Sequence, residues 1–445
     1  MSTDLRRLRL VAPVAVAVAL GVLAPVAHAA PGDTHTSLVR DIRPAAANSF
    51  PAELTVAGST LYFQANTPVL GTELWKTTAA GVTSLVRNIE PGSDSSSPRS
   101  ITPVGSSIFF AAGQDRELWR SDGTPAGTRR VRNINPAGDS APTDLVDLGG
   151  TLLFSAVVGA DQELWRSDGT GPGTVRVKDI NPNVNSSPSE LTVIGSTAYF
   201  RAFDTTGSRL WKTDGTTAGT VRVQNVARFP QHLTAVGGKL YFAAQDPTHG
   251  EELWVSDGTA AGTHMVRDIA LGASVASAPT ELTAVGSKLY FSARDTGGDR
   301  ELYVSDGTAA GTHRVRDIDP AASSSPTGFA ALGGTVYFGA TQGGDTELWR
   351  TDGTAAGTVR VKNINASGSS SPVDLTASGG LMFFRATTPA GDQLWKSDGT
   401  GPGTLPVNPN LVTSPTELTD FQLSLYYAAT SSQYGIELWR TEIEQ

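Results

Sequence analysis

Cysteine is absent from the 445 residues. Disulfides, thiol catalysis and cysteine-ligated zinc are thereby excluded, and packing with backbone pairing must hold the chain. Histidine occurs only six times, in unlike contexts, without an HExxH or comparable metal spacing. No GxSxG elbow, Walker loop or GxGxxG ahead of a helix is present. Charged residues make up only 17%, and no stretch of ten or more residues carries a 3.6-residue apolar period, so helical repeats are excluded. Beyond residue 29 the balance is 31 basic against 42 acidic residues. A negative chain of this kind is a poor partner for nucleic acid, whose phosphates need a positive face.

What the chain does have is glycine (48), proline (26) and evenly spread aromatics, within a 39% hydrophobic composition. That is a folded, turn-rich protein and not a disordered one. Residues 1–29 read as a signal peptide: Arg6, Arg7 and Arg9 precede the apolar run LVAPVAVAVALGVLAPVA, and Ala27-His28-Ala29 supplies a small-x-small cleavage site. No second apolar span follows. A secreted, extracellular protein is expected, periplasmic if the host has an outer membrane, with residues 30–35 as a short N-terminal segment, 36–441 as the folded body and 442–445 as a tail.

The body is one unit written nine times. Trp75, Trp119, Trp165, Trp211, Trp254, Tyr303, Trp349, Trp395 and Trp439 are spaced 44, 46, 46, 43, 49, 46, 46 and 44 residues apart. Periods in the mid-forties encode one four-stranded propeller blade per unit. In the copy beginning at Pro279, PTELTAVG, KLYFSARD, ELYVSDG and THRVRDI read as four successive strands. Adjacent pairs such as Tyr62-Phe63 and Phe109-Phe110 put a large side chain on both faces of the second strand, which implies a sheet buried on both faces. The last copy stops at ELWRTEIEQ without a fourth strand, while the body opens on an orphan SLVRDI. The expected fold is therefore all-β: a single closed β-propeller of nine four-stranded blades, about 46 residues each, closed by pairing the N-terminal strand with the last blade. The first copy lacks Asp-Gly and the eighth has VNPN from Val407, so these two blades are expected to be less regular at the rim.

Each SDGTxAGT segment falls between third and fourth strands. Asp122, Asp168, Asp214, Asp257, Asp306, Asp352 and Asp398 occupy one slot of it, and a structural turn is expected there: the carboxylate accepts backbone amides and the following Gly takes a positive φ. One Asp per loop does not make a calcium loop, which needs several oxygen ligands. On these residues the chain resembles the ELWxxDGT repeat proteins of exported bacterial proteomes, over essentially the whole body. The resemblance implies a repeat-built, propeller-like extracellular protein and assigns no activity. The loop is also similar to the Asp-box hairpin of sialidase-type propellers, a likeness read as convergent turn chemistry.

One further slot stands out, just before the Leu or Ile of the first strand. It holds Glu53, Ser100, Asp144, Glu190, His232, Glu281, Gly328, Asp374 and Glu417. If first strands are innermost, Glu53, Asp144, Glu190, His232, Glu281, Asp374 and Glu417 form a ligand-binding ring at one channel mouth. No catalytic residue, metal ligand set or cofactor is implied, although such a ring could take a divalent cation or a cationic group. The expectation is a monomeric binding or scaffold module, not an enzyme, for an unknown extracellular protein or glycan. The alternatives are a carbohydrate-active hydrolase or lyase at the channel mouth, drawing on loops such as AQDPTHGEE, and a cell-surface adhesion or structural protein.

Overall fold

The computed structural model describes residues 33–444, apart from 45, 183, 224–226 and 273–274. The expected signal peptide lies outside the described residues. Nine four-stranded antiparallel sheets follow one another as blades, at 52–87, 99–132, 143–178, 189–222, 228–267, 280–316, 327–362, 373–406 and 413–443. The expected nine-bladed propeller is therefore observed. First strands of consecutive blades contact one another all round the ring, from the first blade back to the ninth, so they line the axis. Among the described residues no helix is long and apolar enough to cross a membrane.

The adjacent aromatic pairs explain the ring. Because strand side chains alternate between faces, Phe63 packs with Phe421, Tyr426 and Leu438 of the ninth blade. Its neighbour Tyr62 packs with Ile101, Ile108 and Phe110 of the second. The same alternation recurs around the molecule, giving a separate apolar core at each junction between blades.

Closure uses the orphan strand. Thr34–Arg40 pairs antiparallel with Gly435–Ile443, from Thr34 opposite Ile443 to Arg40 opposite Leu438, and becomes the outer strand of the ninth blade. The pairing thus reaches into both the segment assigned to 30–35 and the tail assigned to 442–445. The eighth blade is irregular at its rim as expected, its fourth strand being only Leu405–Pro406. The first is not: Thr83–Arg87 is a full fourth strand, because Thr77 and Thr83 hydrogen-bond across it at 2.8 Å without any Asp-Gly. The short fourth strand of the fourth blade, Val221–Arg222, was not anticipated.

The SDGTxAGT turn is a closed set of local bonds. In the second blade Asp122 Oδ1 accepts from Thr124 N (2.8 Å) and Thr124 Oγ1 (2.7 Å), Gly127 N donates to Thr124 Oγ1 (3.0 Å), and Gly123 N donates to Ser121 Oγ (2.9 Å). Both glycines are obligatory. Gly123 has φ +85° and a Cβ there would lie 2.5 Å from the Tyr62 hydroxyl of the preceding blade, while one on Gly127 would lie 2.1 Å from Asp122 Oδ1. The carboxylate bonds recur at all seven Asp positions. Hydrogen bonding to the following Thr holds the Asp257 carboxyl below the usual Asp range. With its Oδ1 engaged in this way, Asp257→Ala is expected to lower the melting temperature modestly. Calcium or a chelator should leave wild type unmoved; a chelator shift in wild type that vanished in Asp257→Ala would reassign the turn to a metal.

Candidate functional site: the axial ring and its face

The strand directions put two ends of the molecule to different uses. The DGT turns and the turns between first and second strands share one face. The starts of the first strands and the loops between second and third strands share the other.

All nine ring residues, Glu53 to Glu417, have positive φ between 52° and 66°. Pairing with the second strand is interrupted there in every blade, for example between Ala52 and Thr55 and between Thr280 and Thr283. This is a left-handed bulge repeated nine times. A bulge turns one side chain out of the ladder, here toward the axis. Of the nine, only Gly328 adopts this conformation without steric cost.

The carboxylates fasten one blade to the next. Ser100 N donates to Glu53 Oε2 (2.8 Å), Glu190 N to Asp144 Oδ1 (2.7 Å), Leu233 N to Glu190 Oε2 (3.1 Å), Gly328 N to Glu281 Oε2 (2.8 Å) and Leu54 N to Glu417 Oε2 (3.3 Å). The last of these bonds joins the ninth blade to the first. A carboxylate is favoured in the slot because the next blade presents an otherwise orphaned bulge amide. Two members also face arginine: Arg201 lies 3.6 Å from Glu190 Oε1 and Arg385 3.5 Å from Asp374 Oδ2. Glu53, Asp144, Glu281 and Glu417 have no ion pair among the described residues.

Asp144, Glu190, His232 and Glu281, with Leu191, Leu233 and Leu282, line an open axial cavity of about 700 Å³. The structure thus brings together four of the seven expected ring residues on one side of the opening, while Glu53, Asp374 and Glu417 continue the ring on the other.

A second set of carboxylates went unrecognised in the sequence. The Glu of each ELW or ELY is fully or almost fully buried: Glu73, Glu117, Glu163, Glu252, Glu301, Glu347 and Glu437. Glu252 accepts from Ile269 N (3.0 Å), Ala270 N (3.4 Å), Ser277 N (3.0 Å) and Ser277 Oγ (2.6 Å). Burial raises the Glu73, Glu163, Glu252, Glu301 and Glu437 carboxyls above the usual Glu range. A signal was available: Arg209 and Gln393 replace this Glu in the fourth and eighth blades, the same two whose RDI-type segment is altered. Glu301 also lies with Asp299 and Asp317, their oxygens within 4.8 Å of one another. Arg314, 3.3 Å from one oxygen of each Asp, already supplies the positive charge there.

In the loop AQDPTHGEE, Asp246 Oδ2 lies 2.7 Å from His249 Nδ1, and His249 Nε2 is 4.0 Å from Asp268. Bonding to Asp246 raises the His249 pKa and, with the loop amides, brings Asp246 down to about 2. The pair closes its own loop, since His249 N and Thr248 N also donate to Asp246 Oδ1.

Fold and ring together define a closed nine-bladed β-propeller with an acid-rimmed axial opening. No family model and no curated protein matches the sequence. Among solved structures the chain is similar to a puromycin hydrolase (16% identity, TM-score 0.43, covering 85% of this chain and 58% of that one). It is likewise similar to a puromycin-hydrolyzing peptidase of Mycobacterium tuberculosis (15%, 0.44, 90% and 61%). A third is the β-propeller domain of the Trilobed protease from Pyrococcus furiosus, described as having an open velcro topology (13%, 0.38, 70% and 98%). The chain spans about three fifths of the length of the first two. These solved structures are named as hydrolases and peptidases, against the expectation of a non-enzymatic binding or scaffold module.

Proposed function

We propose that the axial opening is a substrate port in peptide hydrolysis, receiving an extended peptide with a basic side chain or free amine against the ring. The observation that carries this reading is the open cavity of about 700 Å³ rimmed by Asp144, Glu190 and Glu281. Each of these carboxylates lends one oxygen to a backbone amide, which fixes its position. Fixed carboxylates at one opening attract a cationic group without reorganising. Peptide hydrolysis is the reaction to assay, since a peptidase and a protease are among the solved structures named above.

Fluorescence anisotropy with labelled heptapeptides centred on Lys or on Glu tests the port, with release of labelled product followed in the same samples. The Lys peptide should bind more tightly, with an advantage that shrinks as salt rises. Glu281→Gln should weaken it about fivefold, the scale of one charge contact. Equal binding of Lys and Glu peptides would overturn the reading.

A further inference from the structure

A cavity of about 340 Å³ opens at the junction of the second and third blades, within the roughly 300–1,000 Å³ of small-molecule sites. It shares no lining residue with the axial cavity. Ile134 and Arg132 of the second blade form one wall, and Val158, Glu163 and Trp165 of the third form the other. Two departures from the repeat meet there.

The first is Val158. Four residues beyond the second-strand aromatic that faces the Trp, the chain is polar in eight blades, from Thr67 to Ser431, and apolar only in the third. In the seventh blade this residue is Gln342, whose Nε2 donates across the junction to Ile318 O at 2.9 Å. Ile318 occupies the slot that Ile134 fills one blade before Val158. Valine makes no such bond, and it stands 39% exposed while lining the cavity.

The second is Glu163. In Glu73, Glu117, Glu252, Glu301, Glu347 and Glu437 both carboxylate oxygens accept from loop donors. Glu163 is only 1% exposed, and its Oε2 accepts from Ile180 N (3.1 Å) and Ser186 Oγ (2.7 Å). Its Oε1 has no partner among the described residues. Two further lining side chains hold a buried atom in the same condition, Trp165 Nε1 and Asp161 Oδ1. A buried polar atom left unpaired is costly and calls for a partner that the chain does not supply.

Charge and chemistry narrow that partner. Arg132 and Arg176 balance Asp161 and Glu163, so the lining carries no net charge. Arg176 already lies 3.0 Å from Asp161 Oδ2, and Arg132 Nη1 donates to Thr174 O at 2.6 Å. Two acceptors and one donor are left open beside Ile134, Val158 and the Trp165 ring. A hydroxyl donates and accepts through a single oxygen, and a ring bearing neighbouring hydroxyls also offers C–H surface to apolar walls. We propose that this cavity binds a neutral sugar residue, whose hydroxyls donate to Glu163 Oε1 and Asp161 Oδ1 and accept from Trp165 Nε1. The site is independent of the port reading.

Saturation-transfer NMR on the full chain tests it with methyl glucoside, methyl galactoside, N-acetylglucosamine and cellobiose, against butylamine and acetamide, and calorimetry measures whichever binds. At least one sugar should bind, and the amine and amide should not. Val158→Gln copies the seventh blade and should weaken the sugar by roughly tenfold or more, by filling the cavity. Trp165→Phe should weaken it roughly fivefold, the scale of one hydrogen bond. Val158→Gln should melt with the wild type and leave the affinity of the Lys heptapeptide for the port unchanged. If either variant fails to fold, the other decides. Binding of no sugar, or of the amine or amide alone, would overturn the proposal and leave the cavity to ordered water. Sugar binding that neither variant moved would overturn it as well, since the sugar would then sit elsewhere.

Discussion

Deletion of residues 30–45 is expected to open the ring and to lower the melting temperature by well over ten degrees, with oligomers forming through the bared edge. The deleted strand supplies the whole ladder opposite Leu438 to Ile443. It also brings Leu38 against Tyr427 and Trp439, and Val39 and Ile42 against Phe63, Trp75 and Phe421. Burial of one such aliphatic side chain is worth about 1.5–3 kcal/mol, so the three together are comparable to the margin of about 5–15 kcal/mol by which most domains are stable at all. Deletion also removes the Ile42 and Arg43 amides that donate to the buried Glu437 carboxylate at 3.2 Å. An exposed edge strand is in turn a template for pairing with another chain. Differential scanning fluorimetry with size-exclusion chromatography reads both effects. A truncated protein that stayed monomeric and melted with the full chain would mean that the ring is not closed by this strand.

Glu252→Ala is expected to destabilise by roughly 3 kcal/mol or more, since four donors lose their acceptor in a site without solvent and each unsatisfied buried group costs about 1–3 kcal/mol. Glu252→Gln should cost less, because the amide oxygen can keep part of the set. Urea unfolding of the three proteins gives the ranking; an alanine variant within 1 kcal/mol of wild type would show that the loop finds other acceptors. The pH dependence has a defined sign. Burial raises five of these carboxyls above the ordinary 4.5. Their contribution is therefore fully present below that value and is lost as pH rises through the raised range. The turn aspartates act oppositely: hydrogen bonding lowers six of them below 3.8. Their contribution is lost as pH falls through that lower range. Together the two sets favour the window between the ordinary 3.8 of Asp and 4.5 of Glu, which melting temperatures measured across pH would show.

The two kinds of carboxylate show how a repeat can hide its working parts. In the sequence the DGT aspartate and the ELW glutamate recur alike. The aspartate stands out because its bonds are local, to a Thr two residues on, and local turn chemistry is written in neighbouring letters. The glutamate bonds amides 17 to 25 residues away, and only the fold brings those amides to it. The ring glutamates reach further still, across a blade boundary, 47 residues from Glu53 to Ser100 N. Their slot was legible, but not their task as inter-blade acceptors.

By itself the sequence determined the blade, the number of blades and the closure. A period in the forties, aromatics paired on neighbouring positions and a missing strand at one end matched by a spare at the other are all properties of order along the chain. Tertiary structure alone decided that the ring slot is left-handed and that its carboxylates are tied to the next blade. A backbone φ is set by the ladder that a bulge must rejoin, and nearness of one blade to the next is set by the packing between them. Neither is a property of any short stretch of sequence.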